Sequence, residues 1–194
     1  MEIIILPLFA YCVGSVSSAI IVCKTMGLSD PRTLGSRNPG ATNVLRIGGR
    51  KAAAITLFGD VLKGFLPVLA AKFTTDSATI IAVVGGAAFL GHLFPLFFGF
   101  KGGKGVAAAL GVFAGTSPAV TLILVSVWLA VAVIFRYSSV AALTAAACAP
   151  VLVLWLLPEM AYFFLALFIG TLLFWRHRAN ISRFMAGNEN KIQL

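Results

Sequence analysis

The segment FGFKGGKGVA, residues 98–107, places two lysines and four glycines between two apolar runs. Glycine lets the backbone approach a ligand closely and present its N–H groups, and lysine adds a compact positive charge. A helix predicted to begin near Gly105 would add the partial positive charge of its N-terminus. This combination predicts a phosphate-binding loop. It is not a Walker A loop, because only three residues separate Gly99 from Gly103, and Gly105 rather than Ser or Thr follows the lysine.

Two further stretches are polar in an otherwise apolar chain: LGSRNPGATNVLRIGGRK at residues 34–51 and WRHRANISR at residues 175–183. Arginine can bind phosphate through two parallel hydrogen bonds, and histidine can accept a proton near neutral pH. Because the only carboxylates beside the stretches, Asp30 and Glu189, are marginal to them, the general base is predicted to be histidine or the substrate itself. The sequence lacks the G-x-S-x-G and H-x-x-x-x-D signatures, and His92 and His177 alone are too few to ligate a metal.

Each stretch also has a purely structural interpretation. Residues 98–107 could be a glycine-rich turn whose lysines set the membrane topology, and residues 175–183 could be a positive stop after a span. The asparagines and threonine of residues 34–51 could cap turns or helix ends. The functional interpretation is favoured because all three stretches are predicted to lie on one membrane face.

Composition predicts the setting in which these stretches work. The chain has 194 residues, is 60% hydrophobic and only 11% charged, and has a mean hydropathy of +1.00. So much apolar surface is typical of a multi-span membrane protein, and we predict a single transmembrane domain over residues 1–194. In a soluble protein the net charge of +9 would suggest a nucleic-acid partner. Here we interpret the basic residues as topology signals and phosphate ligands, and we expect no nucleic-acid partner.

Seven apolar runs predict an all-α integral membrane protein with seven transmembrane helices. The runs lie at roughly residues 3–23, 52–71, 77–98, 104–117, 118–135, 138–157 and 159–175. The fourth run is short, and a re-entrant segment is the alternative there. With seven spans, nearly all lysines and arginines fall on one side; Glu2, Asp76, Glu159 and Lys72 fall on the other. The positive-inside rule then predicts an external N-terminus and a cytoplasmic C-terminus.

One predicted ion pair lies inside the membrane. Asp60 and Lys63 fall near the middle of the second span, where an isolated charge costs about 2.5–3.5 kcal/mol to insert. Their i, i+3 spacing puts them on one helix face, where they can pair. A structural brace is the favoured interpretation, and a contribution of Lys63 to a phosphate-binding field is the alternative.

The segments SRNPGATNVLR, GHLFPLFFGFKGGKGVA and HRANISR resemble the three motifs of the bacterial acyl-phosphate-dependent glycerol-3-phosphate acyltransferases, the PlsY family. The resemblance extends over nearly the whole chain. It implies transfer of an acyl group from acyl phosphate to the 1-hydroxyl of sn-glycerol 3-phosphate, giving lysophosphatidic acid and phosphate for phospholipid synthesis. It also implies a multi-pass protein of the bacterial cytoplasmic (inner) membrane, with the active site facing the cytoplasm and no cofactor. The implied partners are membrane lipid and the soluble acyltransferase that makes acyl phosphate.

The resemblance and the residue types together assign roles to the three motifs. The expected catalytic residues are His177, Asn180 and Lys104, with either His177 or a substrate phosphate oxygen as the base. The expected substrate and phosphate ligands are Ser36, Asn38, Gly40, Ala41, Thr42, Asn43, Arg46, Lys101, Gly102, Gly103, Gly105 and Arg183. Further candidates are His92, Asp60 and Lys63, and no metal site is expected.

Two other classes of protein remain as alternatives. A transporter or flippase for a phosphorylated metabolite could use the same loops, but it typically has interrupted helices or paired halves near the midplane. The polar stretches instead lie at one end of the predicted spans, which favours an interfacial enzyme. A structural membrane subunit would leave the phosphate-type loops unexplained.

Overall fold

The computed structural model describes residues 2–192, with side chains from Ile4 onward. The predicted external position of the Glu2 side chain therefore lies outside the described part. The described residues form two compact units, which are divided between Thr116 and Ser117. The first unit contains α1 (Glu2–Gly14), α2 (Ser18–Thr25), α3 (Ala41–Thr74), α4 (Ala78–Leu93), a 3₁₀ turn (Leu96–Phe98) and α5 (Val106–Thr116). The second contains α6 (Pro118–Phe135), α7 (Ser138–Leu156), α8 (Met160–Arg176) and α9 (Arg178–Met185).

In the first unit, the predicted first span is broken between α1 and α2. The break covers residues 15–17, where two buried serines replace the apolar side chains of the flanking turns. Just before it, Gly14 packs so closely on α4 that a Cβ would overlap the carbonyl of Ala88. The break releases the carbonyl of Val16 from regular helical bonding, and this oxygen accepts a hydrogen bond from Lys63 Nζ at 2.8 Å.

The long helix α3 begins earlier than its apolar run predicts. Residues 41–48 are helical although they belong to the polar stretch, and the helix is then interrupted at Gly49, whose φ is 76°. This left-handed conformation favours glycine, which has no Cβ to clash with the backbone. Further along, α3 packs against α5 with almost no space between them. A Cβ on Gly64 would overlap the carbonyl of Ala108, and one on Gly111 would overlap that of Val61.

In the second unit, the C-terminal segment returns to the turn between α6 and α7. Arg136 ends α6 in the left-handed conformation, with φ 62°. The N–H of Ile192 donates to the carbonyl of Arg136 at 2.6 Å, and the Arg136 guanidinium donates to the carbonyl of Ile192 at 3.2 Å. This return places Glu189 within hydrogen-bond distance of α7 and α9.

Each of the seven predicted apolar runs contains a helix, but not every one of these helices is long and apolar enough to cross a membrane. Within residues 2–192, five helical segments are long and apolar enough to cross a bilayer, or six if α8 and α9, bent by 55°, form one span. Helix α5 has only 11 residues and rises about 16 Å, roughly half the hydrocarbon thickness. The protein is thus a multi-span α-helical membrane protein, and the seven crossings and the orientation of the termini stay predictions.

Candidate active site

The buried amide of Asn43 organises the first polar stretch. Its Oδ1 accepts a hydrogen bond from the N–H of Ser36 at 2.9 Å. Its Nδ2 donates to the carbonyls of Pro31 at 2.8 Å and Leu34 at 3.0 Å. Because the side chain is only 1% exposed and makes these three bonds to loop backbone, Asn43 acts here as the centre that shapes the loop.

Around Asn43 the loop presents polar groups outward. Arg37 takes a left-handed conformation, with φ 55°, and is exposed. The predicted ligands Ser36, Thr42 and Arg46 are also exposed. The partly buried ones are Asn38, Gly40 and Ala41. Arg46 lines an open cleft of about 490 Å³ with Leu28 and Gly35. The first stretch therefore offers three exposed arginines, Arg37 on the loop and Arg46 and Arg50 on α3, beside backbone that Asn43 holds from within.

The second stretch lies directly on the end of α4. The N–H of Gly103 donates to the carbonyl of His92 at 3.3 Å. A Cβ on Gly102 would overlap the carbonyls of His92 and Leu93, and one on Gly103 would overlap the His92 ring and meet the carbonyl of Pro39 at 3.0 Å. Only glycine fits at these two positions. The contact with Pro39 brings the first and second polar stretches together within the first unit.

Beyond the two glycines, the loop continues directly into α5. Gly105 has a φ of 98° and packs against the ring of Phe89, and α5 begins at Val106, as the sequence predicts. Lys101 is exposed and Lys104 is partly buried. The loop therefore combines two cationic side chains with the positive end of a helix, an arrangement that favours a phosphate group.

Sequence reasoning missed Arg32, which lies just before the first stretch and bonds the backbone of the second. Its guanidinium donates to the carboxylate of Asp30 at 2.7–3.1 Å and to the carbonyl of Phe98 at 3.2 Å. The hydrogen bonds from Arg32 hold the pKa of Asp30 below its usual range. The only signal in the sequence was the D-x-R spacing, which does not reveal the distant carbonyl partner.

Three buried polar side chains lie beneath the glycine loop. Asp60 and Lys63, both on α3, form an ion pair with an Nζ to Oδ1 distance of 2.8 Å. Nδ1 of His92 lies 3.6 Å from the same Asp60 oxygen. The structure thus brings together the three residues that the sequence offered only as further candidates.

In the second unit, the third stretch forms the bend between α8 and α9. His177 lies at the bend and is 3% exposed, and its Nδ1 is 2.8 Å from the carbonyl of Leu173. Because a carbonyl can only accept, Nδ1 carries the proton, and a neutral ring has its lone pair on Nε2. The N–H of Asn180 donates to the carbonyl of His177 at 2.8 Å, which ties the first turn of α9 to the histidine.

A carboxylate that the sequence analysis did not select binds the other two predicted site residues of the third stretch, Asn180 and Arg183. Glu189 accepts hydrogen bonds from Asn180 Nδ2 at 2.6 Å, Arg183 Nε at 2.9 Å and Ser139 Oγ at 2.8 Å. Burial alone would raise the pKa of Glu189, but the hydrogen bonds from Asn180, Ser139 and Arg183 outweigh it and lower the pKa. The carboxylate therefore fixes two predicted site residues in place.

Comparison with known proteins agrees with these motifs. The family model described as glycerol-3-phosphate acyltransferase matches residues 4–187. The chain belongs to this family. Two relatives named glycerol-3-phosphate acyltransferase come from Methylococcus capsulatus and Halorhodospira halophila. The first is 52% identical, covering 99% of this chain and 96% of the relative; the second is 51% identical, covering 97% and 96%.

Solved structures of the acyltransferase family share the fold. Two crystal structures of PlsY, an integral membrane glycerol 3-phosphate acyltransferase, match the whole chain and 96% of their own. The glycerol 3-phosphate form is 41% identical with a TM-score of 0.95. The lysophosphatidic acid form is 39% identical with a TM-score of 0.93. The resemblance read from the three motifs is thereby confirmed at the level of the family. Within the described residues, no three His, Cys, Asp or Glu side chains form a group that could hold a metal ion.

Replacement of Asn43 by alanine is expected to destabilise the protein by about 2–4 kcal/mol. The change removes three hydrogen bonds and leaves the N–H of Ser36 and the carbonyls of Pro31 and Leu34 without that partner. Thermal unfolding in detergent, compared with wild type, measures the effect. The matched control is Thr42→Ala on the same exposed turn, which should change stability by less than about 0.5 kcal/mol. Equal unfolding temperatures for both variants would contradict the role assigned to Asn43.

Replacement of Glu189 by glutamine is expected to destabilise the protein at pH 7 and to matter less in acid. A lowered pKa in the folded state means that folding favours the carboxylate. Its stabilisation is therefore complete above the ordinary glutamate pKa of about 4.3 and is lost as the pH falls through the lowered value. Unfolding temperatures of wild type and variant between pH 7 and about pH 3 should converge. The control Glu159→Gln, at an exposed carboxylate, should show no such convergence; a gap independent of pH at position 189 would refute the assignment.

Proposed function

We propose that this protein transfers the acyl group of acyl phosphate to the 1-hydroxyl of sn-glycerol 3-phosphate. The products are lysophosphatidic acid and inorganic phosphate, and the reaction takes place at the cytoplasmic face of the bacterial inner membrane. One observation carries the proposal: the Lys101–Lys104 loop, whose two glycines are seated on the end of α4, runs into the N-terminus of α5. Support comes from relatives named for this acyltransferase and from solved PlsY structures in glycerol 3-phosphate and lysophosphatidic acid forms.

The chemistry of the donor matches a site built from cations and backbone N–H groups. Acyl phosphate is a mixed anhydride, so its carbonyl is already reactive and phosphate is a good leaving group. In the proposed step the glycerol hydroxyl attacks the carbonyl carbon, the new ester C–O bond forms, and the bond to phosphate breaks. The hydroxyl proton passes to a base, with no acyl-enzyme. Positioning and charge stabilisation then supply most of the rate acceleration.

The two substrates each carry a phosphate, and the first unit offers two cationic loops. In this proposal Lys104, Lys101 and the N-terminus of α5 hold one phosphate, and Gly102, Gly103 and Gly105 let the backbone lie close to it. Arg46 and the loop shaped by Asn43 hold the other, with Ser36, Asn38 and Thr42 as further ligands. Asn180 orients the glycerol hydroxyls and Arg183 adds positive charge. The hydrogen bonds of Asn180 and Arg183 to Glu189 support these roles, because they limit the rotamers of both side chains.

The geometry favours His177 over a substrate phosphate oxygen as the proton acceptor. The carbonyl of Leu173 fixes the proton on Nδ1 and leaves the lone pair of a neutral ring on Nε2. The alternative is a substrate-assisted route in which a substrate phosphate oxygen takes the proton. The kinetics of a His177 variant distinguish the two.

The finer predictions of topology and partners belong to the same proposal. The whole chain works as one acyltransferase domain with seven membrane crossings, an external N-terminus and a cytoplasmic C-terminus. The soluble acyltransferase that produces acyl phosphate supplies the donor, and no cofactor takes part. The short helix α5 then completes a crossing together with its flanking residues.

A donor-choice assay tests the proposal. The purified protein in lipid receives labelled glycerol 3-phosphate and, in parallel, acyl phosphate, acyl-CoA or acyl-acyl carrier protein. We expect lysophosphatidic acid from acyl phosphate alone, and loss of product in Lys104→Ala. The control Lys72→Ala removes an exposed lysine that bonds the carbonyl of Thr116, and it should retain activity. Product from another donor would show that the proposed donor is wrong. Uptake of glycerol 3-phosphate into liposomes without conversion would indicate a transporter.

A further inference from the structure

The buried ion pair on α3 does more than neutralise two charges. Asp60 is 2% exposed, Lys63 is 6% exposed and His92 is 5% exposed. Because Asp60 and Lys63 lie on the same helix at i, i+3, their mutual bond cannot by itself tie α3 to another element. The connections to other elements are made by each residue separately. Lys63 Nζ donates to the carbonyl of Val16 at the break between α1 and α2, and Asp60 faces His92 on the last turn of α4.

His92 supports the glycine loop with its backbone and its ring. Its carbonyl accepts the N–H of Gly103 at 3.3 Å. Its Nε2 occupies the space that a Cβ on Gly103 would need. The ring therefore determines how closely the loop can approach α4. A different rotation of the ring would push Gly103 away or leave a gap beneath it.

The orientation of the His92 ring depends on Asp60. Nδ1 is the nitrogen that faces the carboxylate, at 3.6 Å, so the negative charge favours a proton on Nδ1 and turns Nε2 toward the loop. Lys63 in turn binds the same carboxylate oxygen at 2.8 Å. A continuous series of contacts thus runs from the carbonyl of Val16 through Lys63, Asp60 and His92 to the Lys101–Lys104 loop.

We propose that Asp60 and Lys63 are positioning residues for the Lys101–Lys104 loop and act on it through the His92 ring. This inference rests on the proposed function, because it assumes that the loop binds a substrate phosphate. It assigns the ion pair a part in substrate affinity, whereas a brace would affect only stability. Both roles remain separable, because a buried ion pair can often be replaced by neutral residues without loss of folding.

The main test is the neutral double variant Asp60→Asn with Lys63→Met in lipid nanodiscs. We measure the KM of glycerol 3-phosphate and of the acyl donor separately, and the Kd of inorganic phosphate by calorimetry. We expect a folded protein in which the KM of one phosphate substrate and the Kd of phosphate rise about tenfold, with kcat within about threefold. The control Lys72→Met removes another lysine of α3 that bonds a helix carbonyl, and it should leave all three constants unchanged.

The variant His92→Gln tests whether the ion pair acts through the histidine. It also tests the proposal if the double variant does not fold. His92→Gln keeps a polar group near the former Nε2 but loses the group that faces Asp60, and it leaves the ion pair intact. We expect the same rise in KM and Kd. Added to the double variant, it should give no further rise, because both changes interrupt one series of contacts.

The outcomes separate this inference from the proposed function. Wild-type constants in a folded double variant and in His92→Gln would reduce the ion pair to a brace and overturn the inference. Equal rises in both KM values together with a large fall in kcat would also overturn it, because they would indicate general distortion. If wild type forms no lysophosphatidic acid, the proposed function fails, and the Kd of phosphate still decides whether the ion pair positions the loop.

Discussion

Replacing His177 by alanine is expected to lower kcat by roughly 10²–10⁴-fold while both KM values stay within about threefold of wild type. The change removes the nitrogen proposed to accept the hydroxyl proton and leaves the polar stretches of the first unit in place. The hydrogen bond from Nδ1 to the carbonyl of Leu173 supports the role of the ring as a base, because it leaves the lone pair of the neutral ring on Nε2. Steady-state kinetics with acyl phosphate and glycerol 3-phosphate measures the effect.

The neighbouring residue provides the control for this variant. Arg178 is exposed, and its guanidinium bonds the carbonyl of Trp175 at 3.4 Å and lies over the indole ring. Arg178→Ala is therefore expected to retain kcat within about twofold. A fall in kcat of less than about tenfold in His177→Ala would mean that a substrate phosphate oxygen takes the proton. A rise in both KM values would instead place His177 among the binding residues.

The second large effect is expected at Gly102. A Cβ there would overlap the carbonyls of His92 and Leu93, which belong to buried backbone and cannot rotate away as a side chain could. The loop must therefore lift from α4 and carry Lys101 and Lys104 with it. Because a displacement of about 1 Å can cost about 10²-fold in rate, Gly102→Ala should lose at least that much in kcat/KM.

Gly99→Ala is the matched control for Gly102→Ala. Gly99 takes a left-handed conformation, with φ 66°, and a Cβ at this position would meet no atom of another part of the chain within 4 Å. Its replacement should cost only the backbone strain of about 1–2 kcal/mol in stability. Kinetics and thermal unfolding of both variants separate loop position from strain. Similar kcat/KM values for the two alanine variants would show that the close packing of Gly102 on α4 does not matter for catalysis.

The helical segments and the three motifs could be predicted from the sequence because both depend on local patterns. Apolar runs predict helices wherever they fall, and the glycines and lysines of residues 98–107 predict a phosphate-type loop. The breaks at residues 15–17 and at Gly49 could not be predicted in this way. The first is accompanied by a bond from Lys63, which lies far away in the chain, and the second needs a backbone conformation that composition does not specify.

The partners of the motif residues were equally hidden. Glu189 lies beyond the third motif, yet it accepts hydrogen bonds from Asn180 and Arg183 after the chain turns back. Residue type and the family resemblance predict Asn43 as a substrate ligand, with a cap of a turn or helix end as the alternative. The structure gives its amide to the loop backbone, which a sequence cannot reveal because the partners lie 7 to 12 residues away.

The position of both charges of the ion pair on α3 also bears on how the protein enters the membrane. A carboxylate and an ammonium three residues apart can neutralise each other as soon as the helix forms, before any other helix is present. The insertion machinery then receives a segment whose charges are already paired, at a lower cost than two isolated charges would impose. If the two charges lay on different helices, each would stay unpaired in the lipid until those helices packed together. His92 arrives with the following span, so charge pairing precedes assembly of the loop it supports.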